Sequence, residues 1–74
     1  MSEGEILQAL GDFWPRKQRE CLESVEKLRT WVKAFSPFEA EDFRESARRW
    51  LADTNRAPSA NELLKLLGQP KHGP

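Results

Sequence analysis

The sequence contains a single cysteine, Cys21, and a single histidine, His72. One cysteine cannot form an internal disulfide, and no Cys/His cluster or C-x-x-C pair is present to hold zinc. A disulfide-stapled secreted domain and a structural zinc site are therefore excluded. Apolar residues never run for more than three in a row, so neither a signal-peptide core nor a membrane span fits. These absences favour a cytoplasmic protein with no membrane partner and no metal.

Charge of one sign is also lacking, because twelve Lys and Arg residues balance twelve Asp and Glu residues. No global positive field attracts nucleic acid or an anionic membrane, so any such binding must be local. Residues that build strands are scarce: one Ile, two Val, and no Asn-Gly or Asp-Gly hairpin signal. A chain of 74 residues makes one domain at most. We therefore predict an all-α fold.

Hydrophobic periodicity predicts a compact bundle of four short helices over residues 1–68, followed by a flexible tail over 69–74. The predicted helix starts are a capping box at Ser2, the helix-initiating Pro15, a capping box at Ser36 and a capping box at Ser59. The second helix is expected to run from 15 to 35. Its expected apolar stripe is Cys21, Leu22, Val25, Leu28, Val32 and Phe35, with Trp31 at the margin.

Catalytic residue patterns are difficult to find in this chain. His72 falls in the predicted tail, where nothing fixes its tautomer or orientation. Cys21 falls on an apolar stripe, where a buried thiol is inert. The carboxylates have helix-surface spacings beside basic residues, and the glycines are scattered rather than gathered in a phosphate-binding loop. The sequence therefore favours a binding module over an enzyme, with no cofactor.

Three Trp and four Phe residues are a heavy aromatic content for so small a domain. Most of them are expected in the core, because each large aromatic side chain buries roughly 150–250 Å². Tryptophan near arginine is also the composition of an interface hot spot. The candidate partner-binding residues are Trp31, Arg44, Arg48 and Arg49. The alternative, a core tryptophan beside a solvated arginine face, is favoured over this grouping and stays open.

A second candidate function is that of a small DNA-binding or transcription-associated domain. Its phosphate contacts would come from Arg16, Lys17 and Arg19, which are interleaved with glutamates. A helix–turn–helix formed by the last two helices is disfavoured, because the last helix offers only Lys65 as a base. Binding to nucleic acid is therefore expected to be weak and sensitive to salt.

The layout of the chain resembles the phage replicative-helicase loader/inhibitor family. The resemblance covers about residues 6–67. It rests on the residues that match the family's succession of helices and turns: Leu7, Leu10, Phe13-Trp14-Pro15, Trp31 with Val32 and Phe35, Phe43, Ala47 with Trp50-Leu51, and Ala57-Pro58-Ser59 before Leu63-Leu64.

The resemblance implies a non-enzymatic adaptor without a cofactor. Such an adaptor binds a hexameric replicative helicase, restrains its ATPase or unwinding activity and helps deliver it to an origin complex. Family members are similar in carrying a flexible C-terminal extension implicated in helicase contact, whereas this sequence has six residues after Gly68. Three alternatives stay open: a module of a longer protein, contact through the helical surface alone, or a different partner. The oligomeric state is also open.

Overall fold

The structure is a computed structural model that describes residues 1–68. Within them the chain forms five helices: α1 (Glu3–Phe13), α2 (Pro15–Glu23), α3 (Val25–Phe35), α4 (Ala40–Asp53) and α5 (Ala60–Leu67). The prediction of an all-α fold is confirmed, and the prediction of four helices is wrong because there are five. The predicted flexible tail over 69–74, with His72, lies outside the described residues.

Two of the predicted capping boxes are present. In the first, the Glu5 N–H donates to Ser2 Oγ over 3.2 Å and the Ser2 N–H donates to Glu5 Oε1 over 2.8 Å. Ser59 and Glu62 repeat this exchange at the start of α5, with distances of 3.2 and 2.9 Å. Each box satisfies two backbone donors that a helix start would otherwise leave unpaired. The starts of α1 and α5 predicted from these local patterns are therefore confirmed.

The predicted second helix is two helices, because the chain breaks at Ser24. This residue is extended, with φ −137° and ψ 111°, and its hydroxyl accepts a hydrogen bond from the Lys27 N–H over 3.4 Å. The extended residue changes the direction in which the side chains after it point, so the apolar stripe does not continue from α2 into α3. Leu22 and Val25, which were predicted on the buried stripe, are 65% and 71% exposed.

The predicted capping box at Ser36 is wrong, because α4 begins after Glu39 instead. Ser36 continues the hydrogen-bond pattern of α3, donating its N–H to the Val32 carbonyl over 2.9 Å. The terminal ammonium of Met1 donates to the Ser36 and Phe38 carbonyls over 2.7 and 2.6 Å. The segment before α4 is therefore a turn held by its backbone rather than a side-chain cap.

The core is built around Phe35, which is fully buried. Its ring packs edge-on against Phe43 at 4.9 Å between centroids and is stacked on Trp31 at 5.3 Å. These rings join α3 to α4, while buried Leu10 from α1 and Leu63 from α5 belong to the same core. Within residues 1–68, no helix has the length and apolar character needed to cross a lipid bilayer.

Candidate functional site

Trp31, the aromatic member of the predicted partner-binding group, belongs to the core. It is 5% exposed, and its ring packs against Phe35 and Phe43. Packing on two core rings from both α3 and α4 gives the side chain a structural role. This agrees with the core interpretation favoured for Trp31 by the sequence.

The three arginines of the predicted group all lie on α4, but they do different things. Arg44 donates to Asp12 over 2.8 Å, and its guanidinium lies 6.0 Å from the centre of the Phe13 ring. It therefore ties α4 to α1. Arg48 and Arg49 are exposed. Arg49 lines a shallow cleft with Phe38, whereas Trp31 lines a different one. The grouping of Trp31 with these arginines as a partner contact stays a prediction.

Cys21 is 2% exposed, as expected for a core thiol. Burial raises the pKa of this thiol, and the nearby Glu20 carboxylate raises it further. A raised pKa leaves less thiolate, which is the nucleophilic form. In the part of the chain that the structure describes, no three His, Cys, Asp or Glu side chains are grouped as metal ligands.

One surface feature that combines two aromatic and three basic residues is a cleft of about 580 Å³. We call it the aromatic cleft. One wall comes from the end of α1 and the start of α2, and the other from the loop between α4 and α5. Its lining residues are Phe13, Trp14, Pro15, Arg16, Lys17, Glu20, Asn55, Arg56 and Ala57. The volume falls within the range typical of ligand sites, roughly 300–1,000 Å³.

The first wall is a sharp helix-to-helix turn at Trp14. Because proline lacks an N–H and has a fixed φ, Pro15 is suited to begin α2. The N–H groups of Lys17 and Gln18 both donate to the Trp14 carbonyl. The Gln18 side chain donates to the Leu7 carbonyl over 3.0 Å. A Cβ placed on Gly11 would lie 2.4 Å from Gln18 Nε2, the donor of that bond. A side chain at position 11 would therefore displace the Gln18 amide and disturb its hydrogen bond to Leu7.

Trp14 is buried at this turn but leaves one polar group unpaired. The residue is 6% exposed, and its ring lies 5.8 Å from that of Phe13. Its indole Nε1 has no hydrogen-bond partner in the described structure. An unpaired buried donor costs about 1–3 kcal/mol, so it calls for an explanation.

The second wall is organised by Arg56. Its carbonyl accepts from Trp50 Nε1 over 2.6 Å, and its guanidinium lies 5.2 Å from the centre of the Trp50 ring. The same guanidinium makes two hydrogen bonds to Glu62, of 2.5 and 3.0 Å. These bonds, with the Ser59 N–H, lower the pKa of Glu62 from its ordinary 4.5 to about 2. Arg56 thus fixes the loop between α4 and α5 against both helices.

The electrostatics of the aromatic cleft favour an anion. Its lining carries three cations, Arg16, Lys17 and Arg56, and one carboxylate, Glu20. Lys17 lies 3.8 Å from Glu20, and Arg56 is paired with Glu62. Arg16 is exposed and has no ion pair within residues 1–68. The cleft therefore combines aromatic lining residues with one cation, Arg16, that has no ion pair among the described residues.

Sequence reasoning identified part of this cleft. Phe13-Trp14-Pro15 was matched to a motif of the resemblance, and Arg16 and Lys17 were assigned to a nucleic-acid alternative together with Arg19, which is exposed outside the cleft lining. Sequence reasoning missed Arg56, whose partners are brought together by the docking of α5 on α4. The available signal was its place in a proline-led turn before a capping-box glutamate.

A smaller apolar surface lies on the outer side of α3. Val25, Leu28 and Val32 are spaced along one side of this helix and line a cleft of about 270 Å³ with Glu3 and Arg29. Leu28 and Val32 are partly buried against the core. Its lining has no aromatic residue and one basic residue, Arg29. The aromatic cleft, which has more of both, is therefore the stronger candidate site.

Comparison of the chain with protein-family models, curated proteins and solved structures finds no match.

Proposed function

We propose that this chain is a non-enzymatic protein-interaction module that binds a hexameric replicative helicase during the initiation of DNA replication. The class of partner comes from the resemblance to helicase loader/inhibitor proteins. The observation that carries the proposal is that Phe13-Trp14-Pro15 and Ala57, which are distant in sequence and belong to two motifs of the resemblance, line one cleft.

The composition of the aromatic cleft supports protein binding. Phe13 and Trp14 line it together with Arg16 and Arg56. Aromatic residues and arginine are enriched in protein interfaces, and a few of them carry most of the binding energy. The turn is held by the hydrogen bond from Gln18 to Leu7. The loop is held by the Arg56 guanidinium, which makes two hydrogen bonds to Glu62 and lies 5.2 Å from the centre of the Trp50 ring. A preformed surface of this kind loses little conformational freedom on binding.

DNA binding is the second candidate function, and one observation favours it. Arg16 and Lys17 lie beside two aromatic residues in the cleft, and proteins that bind single strands combine cations with aromatic stacking. A helix–turn–helix is less suitable here. The segment between α4 and α5 has six residues, longer than the three or four typical of that motif, and α5 carries Lys65 as its one base.

Size-exclusion chromatography with light scattering tests the proposal. The chain is run alone and with purified hexameric bacterial replicative helicases at physiological salt, and the ATPase rate of each helicase is measured in parallel. We expect a co-eluting complex of defined stoichiometry and a lowered ATPase rate.

Titration of the chain with duplex and single-stranded DNA over a range of salt concentrations is the matched control. Failure to co-elute with any of these helicases, together with DNA binding that weakens steeply with salt, would overturn the proposal in favour of the second candidate. A protein interface with an apolar centre is expected to respond much less to salt.

A further inference from the structure

We infer that the aromatic cleft recognises an acidic peptide segment that carries an apolar side chain. The inference deepens the proposed function, on which it rests, because it assigns the chemistry of the partner segment that the module contacts.

The first turn of α2 is built against its own helix dipole. The amino-terminal end of a helix carries partial positive charge and is stabilised by acidic side chains. Here the first turn has no acid and instead carries Arg16 and Lys17, and Trp14 at the cap position provides no side-chain hydrogen bond. Cations at this end repel the dipole in the free protein. A bound anion would reverse that repulsion, since the dipole and both side chains attract negative charge.

The hydrogen-bond donors at the cleft are incompletely satisfied. The unpaired Trp14 Nε1 is itself buried, so the donors that a ligand would meet are those of Arg16 and Lys17. Arg16 has no ion pair within the described residues, and Lys17 reaches only Glu20, at 3.8 Å. A carboxylate is an acceptor with two oxygens and fits both a guanidinium and an ammonium group. The unsatisfied groups therefore call for an acceptor that carries negative charge.

The apolar part of the cleft lining calls for an apolar group as well. Phe13 is partly exposed there, beside Pro15 and Ala57. A cleft of about 580 Å³ has room for a large side chain. A ligand that carries only charge would leave this apolar surface in water. An apolar residue next to an acidic one would cover the apolar lining and pair with the cations at the same time.

The surroundings of the cleft favour a peptide over nucleic acid. A strand of nucleic acid needs a basic groove that follows several phosphates. The cations of this cleft are instead bounded by carboxylates, with Glu20 in the lining and Glu62 paired with Arg56. The chain as a whole has no net charge. A short acidic segment fits a positive region of this limited extent.

Nuclear magnetic resonance with defined probes tests the inference on the full chain. The three indole N–H signals of Trp14, Trp31 and Trp50 are followed during titration. The probe is a blocked hexapeptide in which leucine and phenylalanine are flanked on each side by two acidic residues. The controls are the same peptide with amides in place of the acids, and an octamer of thymidylate. We expect the acidic peptide to shift the Trp14 signal and leave that of core Trp31 in place, and the amide peptide to bind at least about tenfold more weakly.

Charge reversal provides matched variants. Arg16→Glu should weaken binding of the acidic peptide by about tenfold, while Arg29→Glu, at an exposed position on α3 outside the cleft lining, should leave it unchanged. The inference is overturned if no probe shifts Trp14, if the oligonucleotide binds more tightly than the acidic peptide, or if both variants lose binding equally. Peptide binding without helicase binding would contradict the proposed function alone. Helicase binding that is unaffected by Arg16→Glu would contradict this inference alone.

Discussion

Arg16 and Arg56 show how two identical side chains come to differ in availability. Arg56 is held by Glu62 and by the ring of Trp50, so its charge is largely neutralised and its position is fixed. Arg16 has no ion pair within residues 1–68 and is exposed at the start of α2. A surface cation without a partner keeps its full attraction for an incoming anion. We therefore expect Arg16 to contribute more to binding and Arg56 more to the shape of the cleft.

Trp31 is predicted to stabilise the fold rather than to contact a partner. Trp31→Ala should lower the free energy of unfolding by about 3–5 kcal/mol, because it removes a buried ring packed on Phe35 and Phe43. Urea denaturation followed by circular dichroism measures the change, with Arg48→Ala as the control for an exposed α4 position. An unchanged unfolding midpoint combined with lost partner binding would show instead that Trp31 is a contact residue.

At the scale of the helices, local patterns predicted some boundaries correctly and not others, since the capping box predicted at Ser36 is absent and the break at Ser24 was missed. The capping boxes at Ser2 and Ser59 use partners three residues away, so their patterns can be recognised in the sequence. The break at Ser24 interrupts a stripe whose three- and four-residue spacing continues through it. The serine was the local signal, since its hydroxyl caps α3 through the Lys27 N–H, and the exposure of Leu22 and Val25 shows that the stripe does not continue.

The candidate site follows the same division. The turn at Trp14 was predictable because Pro15 ends one helix and begins the next. The opposite wall was not, since Arg56 contacts Trp50 and Glu62 only when α4 and α5 are docked. No periodic pattern in the sequence places residues 13–17 beside residues 55–57. The turn that forms one wall of the cleft could thus be predicted from the sequence, but the cleft itself could not.

The loop between α4 and α5 is expected to weaken in acid. Because the folded state lowers the pKa of Glu62 from 4.5 to about 2, the ionised carboxylate stabilises the fold above pH 4.5. That stabilisation should be lost progressively as the pH falls from 4.5 towards 2. Glu62→Gln keeps an acceptor for the Ser59 N–H but removes the charge. The melting temperature of this variant should therefore fall less over this interval than that of the unmodified chain.

Glu26→Gln is the matched control for this measurement, because Glu26 is an exposed carboxylate in the first turn of α3. It should retain the acid sensitivity of the unmodified chain. If Glu62→Gln and the unmodified chain lose stability in parallel between pH 4.5 and pH 2, the Arg56–Glu62 pair does not hold the loop.

At the scale of the whole molecule, a single aromatic core holds together two surfaces of different character. Phe35 and Phe43 join α3 to α4, and the turn at Trp14 and the loop at Arg56 close over one side of the bundle as the aromatic cleft. The exposed arginines Arg48 and Arg49 lie outside its lining. A partner that binds the aromatic cleft would therefore contact a different part of the molecule from one that binds Arg48 and Arg49.

Hydrogen exchange of the chain with and without a hexameric replicative helicase tests the central claim most directly, because it locates the contact on the folded molecule. The account predicts that the helicase slows amide exchange at residues 13–17 and 55–57, the two walls of the aromatic cleft. Slowed exchange confined to residues 44–49, or no change anywhere in the chain, would contradict it.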